Sequence, residues 1–463
     1  MNHAAEATRH MRPGLAASAR RIAPLAWPVF VGQVSVLAFS TIDTLLLARR
    51  GAEDLAALAI GAAGYVTVFI SCMGVVLALG PIVGQLYGAG RAADAGRQLH
   101  QAVWLALGLA LAGSLLLVFP EPFLVLARAS PAVEPKVRGY MLALAFALPA
   151  ALLFSAYRGF NIAVSRPKAV MVLQLAGLGL KLPLSALLVF GLPALGVPAL
   201  GVLGCGIATA LAMWLQVLAA GWLVRRDPFY AHFELGARGL DAPDRRALAS
   251  QLRLGLPMGA SFLVEVSGFA FMSIFIARLG TTAVAGHQIA ANLASLLFMM
   301  PLAIGNGTGA LVAQRVGAAD LDDARRLGWH GLALAAACAV AMGGLLFAGR
   351  RSIVGWYAQD GAIAAAALPL LAIVAVFHVA DAGQAVCASV LRAYRIATLP
   401  MLAYAASVWG VGLGGGYALA FGSDARLPAV LHGAAGFWCA ATMGGLLAAS
   451  TLAALLGRAT RRR

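Results

Sequence analysis

The stretch GPIVGQLYGAGRAADAGR at residues 80–97 returns as GALVAQRVGAADLDDARR at residues 309–326. The residue types of Gln85, Asp94 and Arg97 each recur 229 positions later in the sequence. Chance matches are common among the apolar residues of a hydrophobic chain, but matches of Gln, Asp and Arg at one constant offset are not. Self-similarity at a fixed offset indicates an internal repeat. The chain therefore consists of two related halves.

A further match indicates that the repeat extends beyond these stretches. Ser155 and Arg158 are followed by Ser389 and Arg392 at an offset of 234 residues.

Composition places both halves in a membrane. The chain has 463 residues, of which 61% are hydrophobic and 11% charged, and its mean hydropathy is +0.86. Soluble domains have about 45–50% apolar and about 25% charged residues. So few charges exclude a water-soluble globule and a disordered chain. We therefore expect an all-α integral membrane protein.

The apolar runs predict twelve transmembrane helices in two pseudo-symmetric six-helix lobes. A spanning helix needs about 20 apolar residues, whereas barrel strands have about 10 residues of strict alternation, which these runs lack. The predicted helices lie at 25–47, 55–87, 99–119, 139–157, 169–190, 200–224, 254–277, 282–313, 327–348, 362–390, 398–421 and 428–456.

A polar stretch divides the helices into two groups of six and defines the domain organisation. We predict a cytoplasmic N-terminal segment at 1–24, an N-lobe at 25–224, a cytoplasmic linker at 225–253, a C-lobe at 254–456 and a basic cytoplasmic tail at 457–463.

The basic residues give the orientation. With a cytoplasmic N-terminus, 24 of the 34 Lys and Arg residues lie in segments on the inside, nine lie outside, and Lys181 lies within a span. Cytoplasmic loops carry an excess of Lys and Arg, so both termini are expected in the cytoplasm. The net charge of +16 does not indicate nucleic-acid binding, because the basic residues form short clusters between apolar runs without interleaved aromatic residues.

Three acids lie well inside predicted spans: Asp43, Glu265 and Asp381. An ionisable group at this depth costs about 2.5–3.5 kcal/mol on insertion scales and indicates a functional site. Glu265 lies roughly 18–20 Å along its helix from the flanking arginines, close to the midplane. We therefore expect these three residues to couple ion movement to transport.

The helix faces that carry the acids predict a substrate cavity. Methionine and phenylalanine beside a carboxylate suit an amphiphilic organic cation. The alternatives are ordinary helix packing for these faces, a structural hydrogen bond for Glu265, and a structural role for His378. The candidate cavity residues are Met258, Ser261, Phe262, Phe269 and Met272 on the seventh helix, Asn292, Ser295 and Met299 on the eighth, and His378 and Gln384 on the tenth.

The coupling ion remains open between Na⁺ and H⁺. Two carboxylates with nearby hydroxyl, amide and carbonyl oxygens suit Na⁺ near Glu265 and Asp381, and a carboxyl group removed from water also binds a proton more readily. No resident cofactor is expected, because the ion itself is transported.

Lys181 is an ammonium within a span and therefore needs a partner. Asp43 is the deep acid of the same half, so we predict a Lys181–Asp43 pair. The alternative is that the Lys181 side chain extends to the outer interface.

Six motifs resemble the multidrug and toxic compound extrusion (MATE) family, in its NorM-like branch. In the first half they are LAWPVFVGQ at 25–33, STIDTLLLARRGAEDLAALAIG at 40–61 and GPIVGQLYGAGR at 80–91. In the second half they are LGLPMGASFLVEV at 254–266, AGHQIAANLASLLFMMPLAIG at 285–305 and FHVADAGQAVCASVLRAYR at 377–395. The resemblance implies a two-lobed, twelve-helix exporter with a V-shaped central cavity, coupled to Na⁺ or H⁺.

The resemblance also implies roles for individual residues. Asp43 matches the first-helix acid of the family, Glu265 and Asp381 match acids implicated in cation coupling, and Pro28 matches a proline at which the first helix bends. Lys181 and Ser185 stand where the family pattern usually has asparagines. A built-in ammonium would neutralise Asp43, so coupling is expected mainly at Glu265 and Asp381.

Together these features predict a secondary antiporter that exports amphiphilic, cationic drugs or toxic compounds across a bacterial inner membrane. Its expected partners are small-molecule substrates and membrane lipid, and it is expected to be a monomer. The alternative is a lipid-linked oligosaccharide flippase of a related fold, whose phosphates would need a cationic cavity. An enzyme is not expected, because the eight histidines are dispersed and no HExxH, GxSxG or paired-Asp motif occurs. A channel would not explain the paired lobes.

Overall fold

A computed structural model describes residues 14–127, 129–235, 239–422 and 431–461. Most of the predicted N-terminal segment, the end of the basic tail and the first residues of the last predicted helix lie outside these ranges. The same is true of seven of the basic residues used to orient the chain: Arg9, Arg12, Arg128, Arg238, Arg426, Arg462 and Arg463.

The first half contains six long helical spans and one short helix. The elements are α1 (Leu15–Ala48), α2 (Ala52–Val76), α3 (Leu79–Gly88), α4 (Ala92–Val118), α5 (Glu121–Ala127), α6 (Glu134–Ala163), α7 (Pro167–Phe190) and α8 (Val202–Arg226). The short α5 was not predicted. A 3₁₀ turn at Pro228–Phe233 leads towards the second half.

The second half repeats this order. Its elements are α9 (Arg245–Ala277), α10 (Thr281–Gly317), α11 (Leu321–Tyr357), α12 (Gly361–Ala393), α13 (Thr398–Ala405), a π-helical segment (Ala406–Gly415), α14 (Gly416–Phe421) and α15 (Ala434–Arg461). Over the described ranges, the β-structure is limited to one isolated bridge between Leu192 and Val197.

The described helices confirm an all-α membrane protein. Eleven of them are long and apolar enough to cross a membrane, with α2 and α3 counted as one span. The interrupted helix at 398–421 supplies the remaining predicted span. Large apolar side chains such as Leu126, Trp222 and Leu345 are well exposed on the surface, as expected for residues that face lipid tails.

Two predicted spans are not continuous α-helices. The predicted helix 55–87 breaks between α2 and α3, where Pro81 lacks an N–H group and its ring would clash with the carbonyl of Leu77 in a regular helix. The predicted helix 398–421 widens into the π-helical segment, which contains four glycines. Gly444 of α15 lies so close to Ser407 in this segment that an added Cβ would meet the Ser407 carbonyl.

Each half has its own hydrophobic core. One cluster lies entirely within the first half, between Leu47 and Leu235. A second cluster is formed by residues of the second half only, around Trp438. A third also belongs to the second half but includes Ile22 and Ala26 of α1. The described structure therefore has two lobes, with the beginning of α1 packed against the other lobe.

The first helix of each lobe crosses to the second helix of the other lobe. α1 packs against α10, and α9 packs against α2. Glycines allow the second contact to be close, because Gly74 and Gly259 lie against each other's helix without side chains between them. The two lobes are thus joined along matching pairs of helices.

A pseudo-symmetric pair of contacts closes one end of the interface between the lobes. Gln85 donates a hydrogen bond to the Ala393 carbonyl at 2.8 Å, and Gln314 donates one to the Ala163 carbonyl at 2.6 Å. Gly88 packs directly against the backbone of Gln314, and Gly317 packs against the backbone of Gln85. We call these contacts the clasp. It lies on the face where α1 begins, which the sequence predicts to be cytoplasmic.

The structure corrects the repeat register near the clasp. α6 ends at Ala163 and α12 at Ala393, and each is followed by a left-handed residue, Ser165 with φ 63° and Arg395 with φ 59°. Equivalent positions here are therefore 230 residues apart. Arg158 and Arg392, which are 234 residues apart, are therefore not structurally equivalent. Their positions in the two repeats differ by four residues, about one helical turn.

Candidate functional site

A central cavity lies between the two lobes. It has about 960 Å³ of empty space, part of which is open to solvent, and it is bounded by helices of both halves. Its wall combines apolar side chains with a few polar ones. The polar lining residues are Gln33, Arg158, Gln174, Asn306, Ser389 and Arg392.

A second, smaller cavity lies within the C-lobe beside the first. It has about 400 Å³ of empty space and is lined by α9, α12, the segment around α13, and α15. Glu265 and Gln384 lie in its wall. Three residues, Met258, Phe262 and Arg392, line both cavities. The two spaces are therefore neighbours that share one wall.

The two deep acids of the C-lobe lie near each other across α9 and α12. Glu265 lines the smaller cavity together with Arg392 and Gln384, and Gln384 is the hydrogen-bond donor to Asp381. Both acids are half-buried. Gln384 donates a hydrogen bond to Asp381 at 3.0 Å. In the described part of the chain, neither carboxylate has a cationic nitrogen within 4.0 Å.

The α9 stripe predicted to line the cavity divides between cavity and core. Met258, Ser261 and Phe262 line the smaller cavity. Met272 is 5% exposed and belongs to the C-lobe core, and Phe269 packs edge-on against Phe377 and Trp438. Neither Phe269 nor Met272 lines either of the two cavities described above, because the outer part of α9 packs against the aromatic side chains of α12 and α15.

The α10 residues lie on a face that leads to the central cavity. Asn292 and Ser295 are exposed and Met299 is half-buried, but none of the three lines either cavity described above. Leu302 and Asn306 continue the same face by helical spacing, and both line the central cavity. The sequence thus identified the face but missed Asn306, the polar residue that reaches the cavity.

His378 is buried at 1% exposure, and its Nε2 atom has no hydrogen-bond partner. This nitrogen therefore makes no hydrogen bond to Asp381. Gln384, predicted on the same face, both contacts Asp381 and lines the smaller cavity.

The predicted Lys181–Asp43 pair is present in the N-lobe. The Lys181 Nζ atom lies 2.7 Å from Asp43 Oδ2 and 2.7 Å from Thr209 Oγ1, and Ser185 donates to Asp43 Oδ1 at 3.4 Å. Lys181 is 1% and Asp43 4% exposed. The ammonium also lies 4.9 Å from the centre of the Phe39 ring. This closed ion pair leaves little room for a transported cation.

Pro28 is buried inside α1 and lines the central cavity. The helix runs from Leu15 to Ala48 with Pro24 and Pro28 both inside it. The missing N–H groups of these prolines weaken the helix at the level of the cavity.

Two arginines of the cavity wall were assigned by the sequence to cytoplasmic segments that only set orientation. Arg158 and Arg392 instead lie within α6 and α12 and line the central cavity. The signal for a further role was the presence of an arginine near the end of the corresponding helix in each half, because charged residues seldom recur within apolar helices without a function.

The matches to known proteins agree with this geometry. A family model described as MatE matches residues 28–187 and 257–418, one segment in each lobe. "Probable multidrug resistance protein NorM" of Aromatoleum aromaticum is 39% identical over 442 residues, covering 94% of this chain and 93% of that protein. A protein of the same name from Chromobacterium violaceum is 36% identical over 464 residues, covering 99% and 97%.

The fold also matches solved structures. The crystal structure of the Vibrio cholerae MATE transporter VcmN in the bent form matches with a TM-score of 0.84 at 18% sequence identity, covering 97% of this chain and 98% of that chain. Two lobes, two family segments and relatives that match over nearly the full chain all agree. The chain belongs to the MatE family of multidrug and toxic compound extrusion transporters and is not an enzyme.

Proposed function

We propose that the protein is a cation-coupled secondary antiporter that exports amphiphilic, positively charged small molecules across a bacterial inner membrane. The observation that carries this proposal is the shared wall of the two cavities, formed by Met258, Phe262 and Arg392. An ion site in the smaller cavity and a substrate in the central cavity would contact the same side chains. The names of the NorM relatives, which are multidrug resistance proteins, support drugs as the exported molecules.

The shared wall suits an amphiphilic substrate. Met258 is an adaptable thioether, and Phe262 offers an aromatic face on which an organic cation can rest. Glu265 lies in the same smaller cavity as both residues and adds a negative charge. A flat, positively charged molecule at this wall would gain apolar, cation–π and Coulombic interactions together.

The transported ion would bind at Glu265 and Asp381. The Gln384 amide nitrogen donates a hydrogen bond to Asp381. The Gln384 amide oxygen therefore remains free to accept a hydrogen bond or to coordinate a cation. Tyr404 also lines this cavity and contributes a hydroxyl group. These oxygen ligands suit Na⁺, and the paired carboxyl groups equally suit H⁺, so either ion would serve as cargo.

Coupling would follow from the rocking of the two lobes. Ion binding at Glu265 and Asp381 would favour the state that releases substrate outside, and substrate binding would favour the return. The two ligands need only bias the same equilibrium, each through different contacts in the two states. The closed pair of Asp43 and Lys181 supports assigning this exchange to the C-lobe.

The test is efflux in proteoliposomes under imposed Na⁺ or H⁺ gradients. Glu265→Gln and Asp381→Asn remove each charge while keeping the shape of the side chain. We expect either substitution to lower gradient-driven efflux of ethidium at least tenfold, because the coupling ion loses a ligand.

Asp322→Asn is the matched control, since Asp322 is an exposed acid in the first turn of α11. It should transport as the unaltered protein does. Full gradient-driven efflux by both cavity variants, with normal membrane insertion, would refute the proposed coupling site.

A further inference from the structure

We propose that Arg158 and Arg392 form an anion-binding subsite in the central cavity, which receives a carboxylate or sulfonate group of an amphiphilic substrate. The inference rests on the proposed export function and adds a chemical class of substrate to it. Both residues line the same cavity, and one comes from each lobe.

Neither arginine forms a close ion pair within the described part of the chain, although Arg392 also borders the smaller cavity that holds Glu265. Arg158 donates to Gln33 Oε1 at 3.0 Å and contacts Met73 Sδ at 3.1 Å, both uncharged acceptors. Arg392 lies with its guanidinium carbon 5.3 Å from the centre of the Phe262 ring. In the described part of the chain, no carboxylate oxygen lies within 4.0 Å of either guanidinium.

The two arginines lie on opposite sides of one contact between the lobes. Arg158 reaches Met73, and the next residue, Gly74, lies against Phe262, the ring that Arg392 covers. An anion in the cavity between them would therefore meet two positive charges. A guanidinium has five N–H donors in a planar fork that matches carboxylate geometry, and few of these donors are used within the protein.

The rest of the wall suits the organic part of such a ligand. Pro28, Leu77 and Leu302 are apolar, and the amides of Gln174 and Asn306 offer uncharged hydrogen-bonding groups. The three acids inside the spans do not line this cavity. Glu265 lies in the smaller cavity, and Asp43 is bound to Lys181. The charged side chains that line the central cavity are therefore the two arginines, of which Arg392 also borders the smaller cavity that holds Glu265.

The test measures equilibrium binding of two dyes to the purified full chain in phosphatidylcholine nanodiscs, without any ion gradient. Carboxyfluorescein is the amphiphilic anion and ethidium is the cation. We expect Arg158→Gln and Arg392→Gln each to weaken carboxyfluorescein binding about tenfold, the size of losing one charge-assisted hydrogen bond. Ethidium binding should stay within twofold. Arg392→Lys keeps the positive charge, so it should weaken carboxyfluorescein binding less than Arg392→Gln does.

Arg325→Gln is the matched control, because Arg325 is exposed on α11 outside both cavities. Retained ethidium binding shows that a variant is folded. Unchanged carboxyfluorescein binding in both Gln variants would overturn the proposal. An equal loss of affinity for carboxyfluorescein and ethidium would overturn it as well. Displacement of carboxyfluorescein by phosphatidylglycerol in the nanodiscs would overturn it too, since the subsite would then hold a lipid headgroup.

The outcome is separable from that of the coupling test. Binding at equilibrium does not need Glu265 to exchange an ion, so failure of the coupling site leaves the dye measurement interpretable. Conversely, a failure of the anion subsite leaves gradient-driven efflux of ethidium unaffected.

Discussion

At the scale of single residues, the N-lobe ion pair shows how a membrane protein keeps a charge at depth. Asp43, Lys181 and Thr209 form a connected group in which each polar atom has a partner. A buried pair adds little net stability over apolar residues, but removal of one partner leaves an uncompensated charge. Lys181 therefore fills the position beside Asp43 that a transported cation would otherwise occupy in the N-lobe.

This view predicts strong non-additivity between the two partners. Lys181→Met alone should destabilise the protein by about 3–5 kcal/mol, because Asp43 is left buried and unpaired. Asp43→Asn combined with Lys181→Met should recover most of that loss. Thermal unfolding of the purified single and double variants in detergent measures both values.

Two further results would bear on the same pair. Equal destabilisation by Lys181→Met and by the double variant would contradict a mutually neutralising pair. Ethidium efflux by a stable double variant should persist, since coupling is assigned to Glu265 and Asp381; its loss would place Asp43 within the coupling mechanism.

At the scale of elements, the clasp depends on two glycines at equivalent positions of α3 and α10. Gly88 and Gly317 lie on the backbone of Gln314 and Gln85, where any side chain would overlap a carbonyl oxygen. The absence of a Cβ lets the two helix ends approach closely enough for the glutamine hydrogen bonds to form. The closed end of the interface is thus set by backbone contact.

We predict that Gly88→Ala and Gly317→Ala open this end. Each added Cβ forces the helix ends apart, so the population with a separated clasp should rise severalfold. Spin labels at the exposed positions of Arg91 and Arg325, in a background without the native cysteines, report the distance by pulsed electron paramagnetic resonance.

Gly108→Ala is the control for this experiment, because a Cβ on Gly108 in α4 meets no atom within 4 Å. It should leave the distance distribution unchanged. A distribution in both clasp variants identical to that of the control would show that the clasp does not hold the lobes together.

At the scale of the whole molecule, the repeat and the charge pattern together determine how the chain lies in the membrane. Six spans in each half bring both halves into the bilayer in the same direction, so the symmetry axis runs along the membrane normal. The excess of basic residues then favours the face that carries the clasp as the cytoplasmic face.

The expected topology can be measured directly. Cysteines placed singly at Arg225 and Arg458, in a background without native cysteines, should react with a membrane-impermeant thiol reagent only after the cells are opened. A cysteine at Arg350, in α11 on the opposite face, should react in intact cells. Reaction of the Arg458 position in intact cells would place the C-terminus outside and contradict the orientation.

Several parts of the fold and site follow from the sequence, because the forces involved are local or compositional. Apolar runs of spanning length give helices in lipid, where every backbone group must bond within its own segment. The deep position of Glu265 and Asp381 follows from their distance along the chain to the charged ends of the helices. The Lys181–Asp43 pair follows from the cost of an isolated charge in a membrane.

Other features were decided only by the tertiary structure. Phe269 and Met272 share the helix face of Glu265, yet they pack into the C-lobe core because α12 and α15 cover that part of the face. Arg158 and Arg392 have the sequence pattern of orientation signals, but the approach of the two lobes turns them into the wall of one cavity. Helical periodicity tells which residues share a face; which neighbour covers that face depends on contacts between residues far apart in the chain, and those contacts exist only once both lobes are assembled.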